Sequence, residues 1–360
     1  MRIAYFIHAL RNAGGTERVL TIKANALAEV PGYEIHVITA RQRGVAPVFP
    51  LSPKVRLHNL GTNENSIRFK SRLNNLLRSI KPDITVSLSA RTVKRLPSLS
   101  DGSKKVGEFH FTHDKYQLKY GYGLFGMCYA DWRTHSLESA AKKLDAFVVL
   151  TRADAEKWSE VTRRVHQIYN PLTFNPLKVP PLSKDKRAIA VGRLSEEKNF
   201  QDAIYAWKIV SRKYPDWTLD IFGEGPLRQN LEGLIAKNGL QGKVRLMGFS
   251  ANIREEMSRS RFLVMTSRHE GFPMVLLEAM ASGIPPVSYN CPTGPREIID
   301  DGRNGFLVGN GNVSELAERI IEMIEGKSTL FAKAALGTAD MFTMGRIIPQ
   351  WIELFESLVH

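Results

Sequence analysis

Short apolar runs alternate with helix-period segments along this chain, stop at a proline-rich stretch, and start again. In the first half, runs at residues 2–8, 34–39, 55–59, 84–88, 105–111 and 146–150 read as strands. Helical patterns fall between them, as at residues 16–28 and 66–80. Strands that are apolar throughout and joined by helices imply a parallel sheet covered on both faces. The segment IYNPLTFNPLKVPPLSKDK, residues 168–186, breaks the pattern and reads as a linker. Strands then resume at residues 188–191, 218–222, 244–247, 262–265 and 286–288, and a last helix with one apolar face covers residues 344–359. The expected fold class is α/β, with two doubly wound Rossmann-like domains, residues 1–167 and 168–343. A length of 360 residues suits two cores better than one. Ligands of such sheets sit at the carboxyl ends of the strands.

The most informative stretch is SRHEGFPMVLLEAMASGIPPV, residues 267–287. It follows the apolar run FLVMTS, turns at Gly271 and Pro273, and continues as the good helix former MVLLEAMA. The first amides of a helix lack partners and carry positive partial charge, which suits phosphate or sugar oxygens. Glu270 stands ahead of that terminus and Glu278 inside the helix. Taken singly, a Glu before a helix is commonly a cap, and one within it is commonly solvated.

Three other blocks strengthen the functional reading. VGRLSEEKNF, residues 191–200, places Arg193 and Lys198 on a loop between a strand and a helix. Two cations there suit a diphosphate, Arg as a planar fork and Lys as a point charge. HALRNAGGTERVL, residues 8–20, puts Gly14 and Gly15 between a strand and a helix, where backbone can approach a ligand closely. It does not meet the dinucleotide fingerprint GxGxxG. CPTGPREIIDDGRNGFLV, residues 291–308, opens with a stiff turn whose amides can cradle an anion or a sugar. Each of these also has a plain reading as an ordinary surface loop.

In this order the four blocks resemble the retaining glycosyltransferases of family 4, which have the GT-B fold. The resemblance is sharpest from residue 190 to 308 and rests above all on the Glu270/Glu278 pair in EGFPMVLLEAMASGIP. It implies two Rossmann-like domains facing across a cleft, with the last helix, about residues 344–360, crossing back to the first. It implies that Arg193 and Lys198 bind the donor diphosphate and that Glu278 binds the ribose hydroxyls. Glu270 and the amides of Phe272, Met274 and Val275 would hold the donor sugar and its phosphate. Gly14 and Gly15 would face the phosphate from the first domain, and Met247 or Gly248, in VRLMGF, would contact the base. Family members often carry a His lining the donor sugar. His110, in Glu108-Phe109-His110, is the favoured candidate, His113 and Asp114 are close rivals on the acceptor side, and His8 is held in reserve. The expected catalytic pair is His110 and Glu270. The chain has no two Asp residues spaced D-x-D. No metal or other cofactor is therefore expected, and the leaving diphosphate would be stabilised by Arg193, Lys198 and helix amides.

Charge points to a further partner. Residues 1–100 hold 16 Lys/Arg against 5 Asp/Glu, an excess of +11, whereas the remainder hold 34 against 31, an excess of +3. Clusters such as RFKSR (68–72) and RTVKR (91–95) favour contact with an anionic membrane. Nucleic acid is not expected, since no zinc finger, RNP-like or helix-turn-helix pattern stands out. There is no long apolar run and no secretory signal pattern, and the two cysteines are too few for a disulfide framework. A cytoplasmic protein, peripheral at the inner face of the cell membrane, is expected. The expected donor is a UDP-sugar, from the likeness of CPTGPREII to relatives that use one. The expected acceptor is a glycan or lipid-linked glycan in capsule, O-antigen or lipopolysaccharide assembly. Three alternatives compete: a sugar-nucleotide epimerase of the same fold, a phosphorylase, and a non-enzymatic protein that binds anionic surfaces. The last explains the charge but not Arg193, Lys198, Glu270 and Glu278 in register.

Overall fold

The computed structural model describes residues 1–12, 14–181 and 185–360, so residues 182–184 of the proline-rich stretch lie outside the described residues. The chain forms two compact units, Met1–Thr173 with Met344–His360, and Phe174–Thr343. The first unit runs β1 (Arg2–Ile7), α1 (Gly15–Leu27), β2 (Glu34–Thr39), β3 (Arg56–Asn59), α2 (Arg68–Ile80), β4 (Ile84–Ser87), α3 (Ala90–Val93), β5 (Lys104–Phe109), α4 (Lys115–Tyr120), α5 (Gly123–Ala141), β6 (Ala146–Val149), α6 (Arg152–Ser159) and β7 (Val165–Gln167). The second runs β8 (Arg187–Val191), α7 (Phe200–Lys213), β9 (Thr218–Phe222), α8 (Arg228–Lys237), β10 (Val244–Gly248), α9 (Ile253–Arg259), β11 (Phe262–Met265), α10 (Met274–Ala281), β12 (Pro286–Tyr289), α11 (Pro295–Ile298), β13 (Phe306–Val308), α12 (Val313–Glu322) and α13 (Ser328–Asp340). The last helix, α14 (Met344–Val359), belongs to the first unit.

Both sheets are parallel, with strand orders β3-β2-β1-β4-β5-β6-β7 and β10-β9-β8-β11-β12-β13. In each, the order reverses beside the unit's first strand. Helices flanking that point leave toward opposite faces, so a crevice opens at the carboxyl ends. The short strands β7 and β13 are not among the runs read from the sequence. Three residues are too few to show a period, and pairing with β6 and β12 defines them. The strand expected at residues 105–111 stops at Phe109, where the pairing with β6 ends, so His110 and Phe111 lie on the following loop.

The side-chain period of two divides β1 between two cores. Ile3, Tyr5 and Ile7 pack with Leu20, Ala24 and Leu27 of α1 and with Ile347, Trp351 and Phe355 of α14. Ala4 and Phe6 face the other way, toward Phe69, Leu73 and Leu77 of α2 and Trp158 of α6. In the second unit, Trp207 of α7 anchors a core with Ile221, Val264, Val287 and Ile320.

One charged pair is enclosed in the first unit. Lys23 of α1 donates to both carboxylate oxygens of Glu108 on β5, and both side chains are fully buried. The Lys23 ammonium also lies 3.8 Å from the centre of the Trp351 ring, so α14 covers the pair. Burial alone would raise the Glu108 pKa. Lys23 and His110 more than offset that and hold it at about 2. Removing one member of a buried pair strands a charge, so Lys23→Ala should cost about 3–5 kcal/mol in urea unfolding. A loss close to zero would show that Glu108 does not need the ammonium.

Candidate functional site

The reversal in the second sheet lies between β8 and β11, and the expected donor residues gather there. Gly192 and Arg193 leave β8, and Lys198 precedes α7. Thr266, Ser267 and Glu270 follow β11. Lys198 Nζ meets Glu270 Oε1 at 2.5 Å, and Thr266 Oγ1 donates to the Lys198 carbonyl at 3.1 Å. Arg268 N donates to the Glu197 carbonyl at 2.8 Å, which joins the two loops a second time. Arg193 is exposed and makes no ion pair among the described residues. The Ser267 hydroxyl is buried without a hydrogen-bond partner.

The turn after β11 is held by the loop after β12. Glu270 N donates to the Pro292 carbonyl at 2.8 Å, and Thr293 N returns a bond to the Glu270 carbonyl at 2.9 Å. This joins EGFP to CPTGP, two blocks that the sequence keeps about twenty residues apart. Pro273 is the N-cap of α10 and supplies no side-chain cap. Met274 and Val275 begin the helix half-buried, and Phe272 and Glu278 are buried. The first amides of a helix have no carbonyl one turn back to bond.

Close backbone contact sets the neighbouring strand ends. Gly223 has φ +140°, and a Cβ there would lie 1.9 Å from the Gly192 carbonyl oxygen. Its N–H donates to the Gly248 carbonyl at 2.8 Å, while Gly192 N donates to the Phe222 carbonyl at 2.9 Å. Gly248 itself has φ +76°. These contacts align the ends of β8, β9 and β10, and beside them Met247 is exposed. A hollow of about 600 Å³ lined by α11 and α13 contains none of Arg193, Lys198, Glu270 or Glu278.

In the first unit the reversal lies between β1 and β4. Glu64, buried on the loop before α2, accepts from Ser89 Oγ at 2.8 Å and Thr92 Oγ1 at 2.7 Å. His8, exposed at the end of β1, places Nδ1 2.7 Å from Glu64 Oε1. Gly14 caps α1, and Gly15 opens it with free space where a side chain would stand. After β5, His110 is buried with Nε2 2.9 Å from Glu108 Oε1. His113 and Asp114 belong to a different cluster. His113 Nδ1 lies 3.1 Å from Asp114 and Nε2 3.2 Å from Glu138, while Lys157 bonds the other Asp114 oxygen. Both ring nitrogens of His113 are thus engaged in packing α5 and α6. His110 keeps Nδ1 for another partner.

Comparison with known proteins covers both units. Residues 13–173 match the family described as Glycosyltransferase Family 4, and residues 175–335 match Glycosyl transferases group 1. An uncharacterized glycosyltransferase of Haemophilus influenzae is 26% identical over 97% of this chain and 98% of its own length. A poly(glycerol-phosphate) alpha-glucosyltransferase of Bacillus subtilis is 29% identical over 72% of this chain, which spans 38% of that protein. Among solved structures, an S. aureus TarM mutant in complex with fondaparinux, alpha-GlcNAc-glycerol and UDP superposes with TM-score 0.82 at 14% identity. The match covers 98% of this chain and 99% of that one. The chain is a family 4 glycosyltransferase. Its fold is GT-B.

Two groups in this glycosyltransferase were not among the residues expected at the site. Glu64 sits in GTNENS, a polar loop with no local signal, and only the folded sheet brings it to His8 and Ser89. Ser267 opens the stretch SRHEGFP, but its unpaired hydroxyl becomes evident only with burial. The His113 cluster has a measurable signature. The bond to Asp114 raises the His113 pKa against the opposing effect of burial, with Glu138 adding to the rise. A raised folded-state pKa stabilises below the unfolded value, and that stabilisation is lost as pH rises through the folded value. His113→Gln should therefore lose more stability at about pH 5.5 than at about pH 8 in denaturant titrations, given an unperturbed imidazole near 6.5. Equal losses at both would exclude a charged His113 from the fold's stability.

Proposed function

We propose that this family 4 enzyme is a retaining glycosyltransferase that moves a hexose or N-acetylhexosamine from a UDP-sugar. The acceptor is a glycan or lipid-linked glycan of cell-surface polysaccharide or lipopolysaccharide assembly, modified in the cytoplasm at the inner face of the membrane. The observation that carries the reading is the convergence of Arg193, the Lys198–Glu270 pair and the start of α10 at the reversal of the second sheet. The TarM complex with UDP and alpha-GlcNAc-glycerol, and the glucosyltransferase relative, support a UDP-linked hexose or N-acetylhexosamine.

In this reading Arg193 and Lys198 take the donor diphosphate, and the amides of Phe272, Met274 and Val275 complete the contact. Charge that develops on the leaving diphosphate meets groups already oriented toward it. Glu270 holds Lys198 in place and receives the donor sugar hydroxyls. Glu278 accepts from the ribose hydroxyls, and Met247 and Gly248 border the base. The family resemblance assigns Gly14 and Gly15 of the first unit to the phosphate and His110, fixed by Glu108, to the sugar. The acceptor hydroxyl attacks on the face the diphosphate leaves, which yields retention. Nucleotide and sugar are co-substrates, and no resident cofactor takes part.

A thermal-shift and hydrolysis screen against UDP-, GDP- and ADP-sugars, with EDTA present, tests the donor site. UDP-sugars should stabilise the protein and slowly release UDP. Glu278→Ala should weaken UDP binding by about 1.5–3 kcal/mol through loss of a charge-assisted hydrogen bond. An unchanged affinity would remove Glu278 from the ribose site. Separately, proton NMR of the glycosylated product should show the donor's anomeric configuration, and an inverted anomer would end the front-face proposal.

A further inference from the structure

The first unit carries an apolar projection that its own core does not cover. From Gly121 to Ala130 the chain has no charged residue. This run joins α4 to the first turns of α5. Tyr122 is 83% exposed, Leu124 76%, Phe125 91% and Trp132 63%, and Met127 and Tyr129 are also exposed. A surface helix ordinarily turns its apolar residues inward and its polar ones out. Here the apolar residues point to solvent on every side of the helix start. Contiguous apolar patches of this kind mark interaction sites.

Cations surround the base of the projection and are continuous with it. Tyr129 packs against Tyr120 and Trp132 with ring centres 5.3 and 5.9 Å apart. Arg133 donates to the Tyr129 hydroxyl at 3.0 Å and lies 4.8 Å from the Tyr116 ring centre. Lys94 is 5.4 Å from that same ring, Lys119 is 5.2 Å from Tyr120, and Lys115 is 3.0 Å from Phe111. None of these four cations has a carboxylate at ion-pair distance among the described residues. Burial first, and the neighbouring cations second, push the Lys115 pKa down to about 7 and that of Lys94 to about 8. With no carboxylate at ion-pair distance among the described residues, the cluster lacks an anion to offset its charge.

We propose that the α4–α5 hairpin docks the enzyme on an anionic lipid bilayer. Tyr122, Leu124 and Phe125 enter the boundary between headgroups and acyl chains, while Lys94, Lys115, Lys119 and Arg133 bind lipid phosphates. Tyr and Trp, apolar in body and polar at one end, suit that boundary. A second copy of the chain fits less well, because pairing two projections would bring like-charged clusters together. A soluble anionic polymer would satisfy the cations and leave Leu124 and Phe125 in water. The surface differs from the one the basic runs at 68–72 and 91–95 suggest. Arg72 and Arg95 are spent on carbonyls of Leu60 and Glu64, and of those runs Lys94 alone joins the aromatic cluster. Among the described residues no helix is long and apolar enough to cross a membrane, so this contact is with one face of the bilayer.

Co-sedimentation of the full chain with sucrose-loaded vesicles tests the proposal. Vesicles of phosphatidylglycerol and phosphatidylcholine should pellet the protein, and phosphatidylcholine alone should retain much less. Leu124→Ser with Phe125→Ser should lower partitioning about ten-fold or more. Lys119→Gln should lower it about five-fold at low salt. Thermal melting and the response to UDP-sugars should stay those of the unaltered chain, which separates loss of docking from loss of fold or donor binding. The proposal fails if the unaltered chain stays in the supernatant with anionic vesicles, or if the double variant sediments equally well. It also fails if ultracentrifugation shows a dimer that the double variant abolishes.

Discussion

A parallel strand cannot turn straight into its neighbour; a crossover must carry the chain back first. In this protein each strand therefore releases its loop at the same edge of its sheet. Both sheets also reverse their order once, between β1 and β4 and between β8 and β11. The crevice at that reversal is set by chain direction, before any particular side chain is considered. Each side chain there inherits a position from the end of its strand. His8 and Ser89 do so in the first unit. Arg193, Thr266 and Glu270 do so in the second.

Charge is handled differently in the two units. Lys198 and Glu270 pair while still partly open to water, so incoming anionic oxygens can compete for the ammonium. Lys23 and Glu108 pair without water, under the Trp351 ring. A pair so enclosed has little freedom to exchange partners, and it makes Glu108 a fixed acceptor that orients His110. Glu64 has a related part. Two hydroxyls and an imidazole surround its buried carboxylate, and His8 is thereby turned outward from the strand end. The closed pairs position, and the open pair is available to a ligand.

The α4–α5 hairpin follows a contrary rule to the rest of the first unit. In the core the large aromatic side chains are enclosed, and Trp158, Phe69 and Phe147 have essentially no exposure. At the hairpin, equally large side chains stand in solvent above cations that lack carboxylates. An acceptor carried on a lipid would bring an enzyme to the membrane, and such a surface would shorten its search.

The alternation of strands and helices was legible from the residues because a strand buried on both faces is apolar throughout and helices keep their own period. Thr218–Phe222, Phe262–Met265 and α10 fall where the residues placed them. The family was legible too, because Glu270, Pro273 and Glu278 lie close together in one continuous motif. Three-residue strands such as β7 were not legible, since their pairing with a distant neighbour is what makes them strands. Tertiary structure alone decided which groups meet. It joined Glu270 to Pro292 and Thr293, gave Glu64 to His8, and tied His113 and Asp114 to Glu138 and Lys157 while leaving His110 on Glu108. Local sequence carries propensity and period. Contacts between loops far apart in the chain depend on the order in which the strands are laid side by side.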